Sequence, residues 1–414
     1  MINLNKIKFS GKIINLLISS SLIFVFLFDL FTQGEILKDN FFYSGRALFS
    51  DMIMIIPNLE ELSKWNLFDS EKRSSTELFN RIMNYPVIWV YIFNFLSWFG
   101  NPAIIMGVIQ LFIYILFAKI ILLQTNKNFY LYFFILFSPP LLLMMERGNM
   151  DCFIFFLLFT SILTKNYSSG FLLGLAASLK VYPIFILPFY FFFKKFNKKF
   201  FIGFIITLPL ILWTFFQLNI LIGTTPISFS TSFGIYSFAL FLVKALREVF
   251  YIEIEKNYIF YFYSISILLF LFLSLIFNFL FKKDLNKILE ILDYNKLSLM
   301  IFILSSTMTI LIFFAFSNWA YRIVFLLPAT LIYLNNLKKI NDLFNYKKKY
   351  FYLLLAISPF FFPWIISTTD ENLILLNYYS WAFYCLVVFL SLIFYFSISC
   401  NYYLKKIKPI KLNF

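Results

Sequence analysis

Asp51 is the carboxylate whose surroundings best suit proton transfer. It lies in residues 45–53, Gly-Arg-Ala-Leu-Phe-Ser-Asp-Met-Ile, where Arg46 is the only other charged side chain. A carboxylate held near a membrane cavity can serve as a general base, because burial and neighbouring charges tune its pKa. The structural alternative is a helix cap or a solvated loop acid. Competing candidates for the base are the nearby acids Asp29, Glu35 and Asp39.

Three basic residues are candidates for binding a phosphate group. Arg147 lies in the charged turn 146–151 between two long apolar runs, and charges at membrane depth are costly enough to suggest function. Lys180 interrupts an apolar stretch just before a proline, which breaks a helix and turns backbone groups toward a cavity. Arg322 begins an apolar run. The structural alternatives are Asp151 as a helix cap, a lysine that reaches the membrane surface and an arginine that anchors its helix at the interface.

The composition places these residues in a membrane protein. Of the 414 residues, 61% are hydrophobic and only 13% are charged, whereas soluble chains are nearer half apolar and a quarter charged. The apolar runs recur along the whole chain, each near the ~20 residues that cross a bilayer. The sequence therefore predicts a single, all-α integral membrane domain over residues 1–414, with about eleven or twelve transmembrane helices.

The positions of the lysines predict the topology. Lysine clusters alternate with acid-containing loops between the apolar runs, which is the pattern of cytoplasmic and outer loops and places both termini in the cytoplasm. Residues 34–99 then form a large first outer loop that ends in an interfacial helix at about 85–99, rich in Trp, Tyr and Phe. Residues 170–193 begin and end beside cytoplasmic lysines, so they are predicted to form a hairpin of two short helices.

The same features exclude several classes of function. The net charge of +15 comes from short clusters between apolar runs, so it indicates membrane topology and no nucleic-acid partner. Histidine is absent, which excludes the Ser-His-Asp triad and most zinc sites. The cysteines (Cys152, Cys385 and Cys400) lack CxxC spacing and are predicted to be small core residues. No glycine-rich phosphate loop is present, so neither a metal nor a soluble cofactor is predicted.

All six arginines fall on the predicted outer face, while the predicted cytoplasmic bases are lysines. Arginine binds phosphate through two parallel hydrogen bonds, so its restriction to one face is consistent with phosphate binding there. A chance distribution of six residues is the alternative. Chemistry at the outer rim favours a lipid-linked substrate over a cytoplasmic nucleotide sugar.

Four features, spread over about residues 45–200, resemble glycosyltransferase family 87 of the C-type glycosyltransferase superfamily. They are Asp51, Tyr85-Pro86, the run Arg147–Asp151 and the run Gly174–Pro183. This group contains mannosyltransferases that use polyprenyl-phosphate-mannose. The chain differs from the commoner pattern at Asn149, where glutamine is frequent, and its second half matches little.

The resemblance implies a hexosyltransferase of a bacterial plasma membrane with its active site on the outer, periplasmic side. A sugar, most simply mannose, would pass from a polyprenyl-phosphate donor to a glycan or glycolipid acceptor with inversion, and Asp51 would be the general base. Arg147, Lys180 and Arg322 are the candidates for the donor phosphate, and Arg46, Tyr85 and Asp151 are further site candidates. The alternatives are a polymerase of lipid-linked polysaccharide and a non-enzymatic flippase or transporter of a lipid-linked sugar.

Overall fold

The computed structural model describes residues 49–53, 55–56, 75–76, 81–82, 85–124, 129–193, 197–219, 221, 232–234, 239, 243, 258–314, 318–361 and 371–407. The elements up to residue 233 are α1 (Ser50–Ile53), β1 (Ser75–Thr76), β2 (Arg81–Ile82), α2 (Ile88–Ser97), α3 (Pro102–Gln124), α4 (Phe129–Leu136), α5 (Pro139–Glu146), α6 (Asp151–Leu163), α7 (Asn166–Leu179), a 3₁₀ helix (Tyr182–Ile186), α8 (Leu187–Phe193), α9 (Lys198–Ile206), α10 (Leu208–Phe216) and β3 (Ser232–Phe233). The later elements are α11 (Tyr258–Asp293), α12 (Lys296–Phe314), β4 (Asn318–Trp319), a 3₁₀ helix (Ala320–Leu326), α13 (Leu327–Asn335), α14 (Leu337–Asp342), α15 (Tyr346–Ile357), a 3₁₀ helix (Ser358–Phe360) and α16 (Glu371–Ile407).

The described residues contain four helices long and apolar enough to cross a membrane, namely α3, α11, α12 and α16. The pair α9 and α10 passes the same test as one span bent by 49°. The predicted all-α membrane class is thus confirmed. The first predicted span, 13–32, lies outside the described residues, and the predicted total of eleven or twelve stays a prediction, as does the orientation of the termini.

The helix α12 occupies the centre of the bundle. Of its apolar membrane-spanning segment, 78% is buried. The corresponding buried share of α11 is 17%, because α11 lies at the periphery and presents its side chains outward. α12 contacts α11, α13, α16 and both 3₁₀ helices that flank the candidate site. This buried helix therefore fixes the positions of the elements that contact it.

The parallel helices α7 and α9 make the most extensive helix contact among the described elements. Their backbones approach so closely that a Cβ atom on Gly170 would lie 1.9 Å from the carbonyl oxygen of Phe200. A Cβ atom on Gly203 would likewise lie 2.1 Å from the carbonyl oxygen of Tyr167. Glycine at both positions is required for this contact, which fixes the direction in which α7 ends at Lys180.

The segment 170–193 has a break where the sequence places it. α7 stops at Leu179, Lys180 is extended, and a 3₁₀ helix with Pro183 in its first turn leads into α8. The hairpin itself stays a prediction. The proposed interfacial segment 85–99 contains α2, in which Trp89 is buried, and Trp98, the residue after α2, which is 77% exposed.

The helix α11 continues past the pair of lysines that follows its apolar part. Lys282 and Lys283 lie within the helix, which ends at Asp293. Lysine, leucine and glutamate favour helices, and residues 282–293 contain neither proline nor glycine, so nothing stops the helix there. The helix therefore extends well past its apolar part.

Candidate active site

The turn between α5 and α6 brings three functional side chains together. The backbone N–H of Asn149 donates to the carbonyl of Met144 at 3.1 Å, and that of Gly148 donates to the carbonyl of Met145 at 3.1 Å. These two bonds form a Schellman motif, in which the residue after the helix is left-handed and favours glycine. Gly148 has a φ of 59° and fills that position. This turn carries the side chains of Arg147, Asn149 and Asp151, which occupy every second position.

Asp51 docks against this turn and is held by two of its side chains. Its backbone N–H donates to the carbonyl of Arg147 at 3.0 Å. The guanidinium of Arg147 donates to Asp51 Oδ1 through Nη2 at 2.7 Å and Nε at 3.1 Å, and the Asn149 amide donates to Oδ2 at 2.5 Å. All three residues are at least 95% buried. The Asp51 carboxylate is therefore buried but compensated by a cation and an amide.

A second carboxylate, Asp151, gathers two cations. It accepts hydrogen bonds from Lys180 Nζ at 2.5 Å and from the Tyr182 hydroxyl at 2.5 Å on Oδ1, and from Arg322 Nε at 2.9 Å on Oδ2. Asp151 has no exposed surface, whereas the side chains of Lys180 and Arg322 keep 13% and 16% of theirs. The cations can thus reach a ligand while their shared counter-ion cannot.

The two clusters form one network. The amide oxygen of Asn149 accepts the backbone N–H of Asp151 at 2.9 Å, and the Asn149 amide nitrogen lies 3.3 Å from the Tyr85 hydroxyl. The ammonium of Lys180 lies 5.5 Å from the centre of the Tyr85 ring, within the range of a cation–π contact. Asp51 and the cation pair therefore face a common region.

Hydrogen bonds from neighbouring helices fix the C-terminal end of α7, which Lys180 follows directly. The last carbonyls of a helix lack partners within the helix. Here the indole N–H of Trp89 donates to the carbonyl of Leu179 at 3.1 Å, and the Thr214 hydroxyl donates to that of Ser178 at 2.6 Å. α2 and α10 thus hold the point from which the Lys180 side chain extends.

The electrostatics favour the charged form of Asp151. Burial alone would raise the pKa of this carboxyl, but the charges of Lys180 and Arg322 and the hydrogen bonds from Lys180 and Tyr182 lower it to about 2. Burial lowers the pKa of the Lys180 amine to about 8, although the Asp151 charge opposes that change. Burial also raises the pKa of Tyr85 well above its usual value, and the charges of Asp51 and Asp151 add to this effect. Among the described residues, the cluster combines two carboxyl groups with three basic side chains.

The structure brings six of the seven candidate residues into this network, and Arg46 lies outside the described residues. Arg147, predicted to bind phosphate, instead donates hydrogen bonds to Asp51 and is separate from the other two cations. Asp151 is the first residue of α6 and Met150 occupies the capping position, so Asp151 is not the helix cap of the structural alternative. Sequence reasoning did not select Asn149 or Tyr182 as site residues. Both residues lie in polar breaks between apolar helices and within the runs that carry the family resemblance, and these were the available signals.

Residues 84–231 match the sequence profile of glycosyltransferase family 87. The matched segment is about a third of the chain and contains Tyr85, Arg147, Asp151 and Lys180, while Asp51 and Arg322 lie outside it. No curated protein matches the chain. No solved structure matches it either. The resemblance to glycosyltransferase family 87 is therefore confirmed over residues 84–231, and this family implies a membrane glycosyltransferase.

Proposed function

We propose that this glycosyltransferase transfers a hexose, with mannose as the expected sugar, from a polyprenyl-phosphate donor to a glycan or glycolipid acceptor. The reaction inverts the anomeric centre and takes place on the outer face of a bacterial plasma membrane. One observation supports the proposal above others. A buried carboxylate, Asp51, shares a network with two part-exposed cations, Lys180 and Arg322.

Asp51 acts as the general base in this proposal. Its carboxylate takes the proton of the acceptor hydroxyl as the hydroxyl oxygen forms a bond to the anomeric carbon. The bond between that carbon and the phosphate oxygen breaks, and its electron pair leaves with the phosphate. Arg147 and Asn149 hydrogen-bond the two oxygens of this carboxylate and hold it in one orientation.

Lys180 and Arg322 stabilise the leaving group. The donor phosphodiester carries one negative charge, and the released polyprenyl phosphate gains a second. Fixed cations aimed at a developing charge lower the barrier because they need no reorganisation during the reaction. Among the described residues, three basic side chains and two carboxyl groups give the network a formal charge of +1, which complements the single charge of the bound donor. Such a mechanism needs no metal or organic cofactor.

The testing experiment measures transfer in membranes that contain the wild type or Asp51→Asn at equal protein levels. A panel of polyprenyl-phosphate sugars is supplied, and products are followed by mass spectrometry. We expect one donor to give a product with the wild type and a loss of ~10²–10⁴-fold with Asp51→Asn, because the amide cannot accept the proton.

Asp284→Asn is the matched control for this experiment. Asp284 also accepts hydrogen bonds from a lysine and a tyrosine, Lys348 and Tyr352, but belongs to another part of the bundle. We expect this variant to transfer sugar at the wild-type rate. Undiminished transfer by Asp51→Asn would refute the assignment of the base.

A further inference from the structure

Asn149 lies between the two carboxylates of the site and contacts both residues. Its amide nitrogen donates to Asp51 Oδ2 at 2.5 Å, and its amide oxygen accepts the backbone N–H of Asp151 at 2.9 Å. The residue is 99% buried. The reverse orientation of the amide would place its oxygen against the carboxylate and its NH₂ against an N–H group, so the network itself fixes the orientation.

The two oxygens of Asp51 have different partners. Oδ1 accepts a hydrogen bond from the guanidinium of Arg147, and Oδ2 accepts one from the amide of Asn149. A carboxylate held at both oxygens cannot rotate about its χ2 bond without losing a buried hydrogen bond. Asn149 therefore fixes the orientation of the Asp51 carboxylate.

We propose that Asn149 is a positioning residue for glycosyl transfer, which orients the Asp51 carboxylate. This inference rests on the proposed function of Asp51 as the base. The structural alternative is that Asn149 only forms the turn, because its oxygen closes a ring with the N–H two residues later, as asparagine does in many turns.

The replacement Asn149→Asp separates these two roles. Aspartate retains an oxygen that accepts the N–H of Asp151, so the turn is preserved. It replaces the donor to Asp51 Oδ2 with a second carboxylate, and two adjacent carboxylates cannot both ionise without repulsion. The other charged or titratable groups that the structure places around Asp51 are Arg147, Tyr85, Lys180, Arg322 and Asp151. Asn149→Asp leaves all of them unchanged.

The experiment measures the initial rate of sugar transfer between pH 5 and pH 8 for the wild type, Asn149→Asp and Asn345→Asp. Asn345 is the matched control, because its side chain accepts the backbone N–H of Lys348 at the start of α15, away from the site. We expect Asn345→Asp to keep the wild-type profile. Asn149→Asp loses about tenfold or more, and its loss deepens as pH rises, because the new carboxyl group can donate to Asp51 Oδ2 only while it is protonated.

A pH-independent loss, or a profile equal to that of the wild type, would overturn this inference and leave Asn149 as a turn-forming residue. Asp51→Asn is measured in the same series. Full activity of that variant would overturn the proposed function itself, so the two failures are distinguishable.

Discussion

Two carboxylates in this protein have the same kinds of partner and very different surroundings. Asp151 and Asp284 each accept a hydrogen bond from a lysine ammonium and from a tyrosine hydroxyl. The partners are Lys180 and Tyr182 for Asp151, and Lys348 and Tyr352 for Asp284. The Asp151 side chain has no exposed surface, whereas that of Asp284 is 12% exposed and Lys348 is 48% exposed. Residue types alone therefore do not distinguish a site from a structural ion pair.

Two further features distinguish the Asp151 cluster. Arg322 adds a second cation, so the cluster has more positive than negative charge, whereas one lysine balances Asp284 in its salt bridge. Asp151 is also joined to a second buried carboxylate, Asp51, through the side chain of Asn149. The Asp151 cluster thus combines excess positive charge, burial and a neighbouring base. The variants below test whether this combination distinguishes it from the Asp284 cluster.

Among the variants that compare these two clusters, the largest effect is expected from the cations. Lys180→Met and Arg322→Met each remove one charge that would stabilise the leaving phosphate, so transfer should fall by ~10²–10³-fold. Lys348→Met removes the equivalent lysine of the Asp284 cluster and should leave the rate unchanged. Initial rates in membranes at equal protein levels measure all three. Equal losses from Lys180→Met and Lys348→Met would remove the functional distinction between the clusters.

Gly148→Ala tests whether the turn that carries Asp151 must be left-handed. A non-glycine residue at such a φ costs about 1–3 kcal/mol, and a Cβ atom there would lie 3.0 Å from the sulfur of Met52, next to Asp51. We expect the transfer rate to fall about tenfold because the base moves. The control is Gly100→Ala, at a φ of 140° where the nearest atom, on Ile105, is 3.7 Å away. An equal loss of activity in that control would show that backbone strain alone is responsible.

The wild-type rate should fall as pH rises. Because burial lowers the pKa of Lys180 to about 8, this amine is protonated below that pH and loses its charge above it. The rate should drop about tenfold per pH unit beyond this point if the charge is required. Lys180→Arg should move the fall to higher pH, because the guanidinium stays protonated. A pH–rate profile with the same alkaline limb in both proteins would assign the titration to another group.

The smallest effect is expected from Asp284→Asn. One partner in this pair, Lys348, is about half exposed, and such ion pairs contribute about 0–1 kcal/mol to stability. The free energy of unfolding in detergent should change by no more than this amount, and transfer should not change. A large loss of stability would mean that the bundle depends on this pair more than its exposure suggests.

The residues of the candidate site could be predicted from the sequence more readily than their partners. Charged side chains between apolar runs are conspicuous, so Asp51, Arg147 and Lys180 could be selected by type. Their pairing depends on contacts between residues 96 and 171 positions apart, such as Arg147 with Asp51 and Arg322 with Asp151. No local pattern specifies such contacts. Arg147 was therefore grouped with the phosphate candidates, although it lies on the proposed base.

The fold shows the same division between local and tertiary information. Hydrophobicity and the break at Lys180 are local properties, and they predicted the membrane class and the end of α7. The approach of α7 and α9 depends on Gly170 meeting a carbonyl 30 residues away, at Phe200. The continuation of α11 beyond Lys283 also had no clear signal, because the lysines that mark a membrane boundary favour helices as well.

In the proposed mechanism the two carboxylate clusters have separate roles. Asp51 performs proton transfer, and the cations beside Asp151 hold the donor phosphate. The most direct test is a steady-state measurement of kcat and of the KM for the donor in Asp51→Asn and Arg322→Met. We predict that Asp51→Asn lowers kcat ~10²-fold or more and leaves the donor KM unchanged, while Arg322→Met raises the donor KM as well as lowering kcat. A raised donor KM with normal kcat in Asp51→Asn, or an unchanged donor KM in Arg322→Met, would contradict this account.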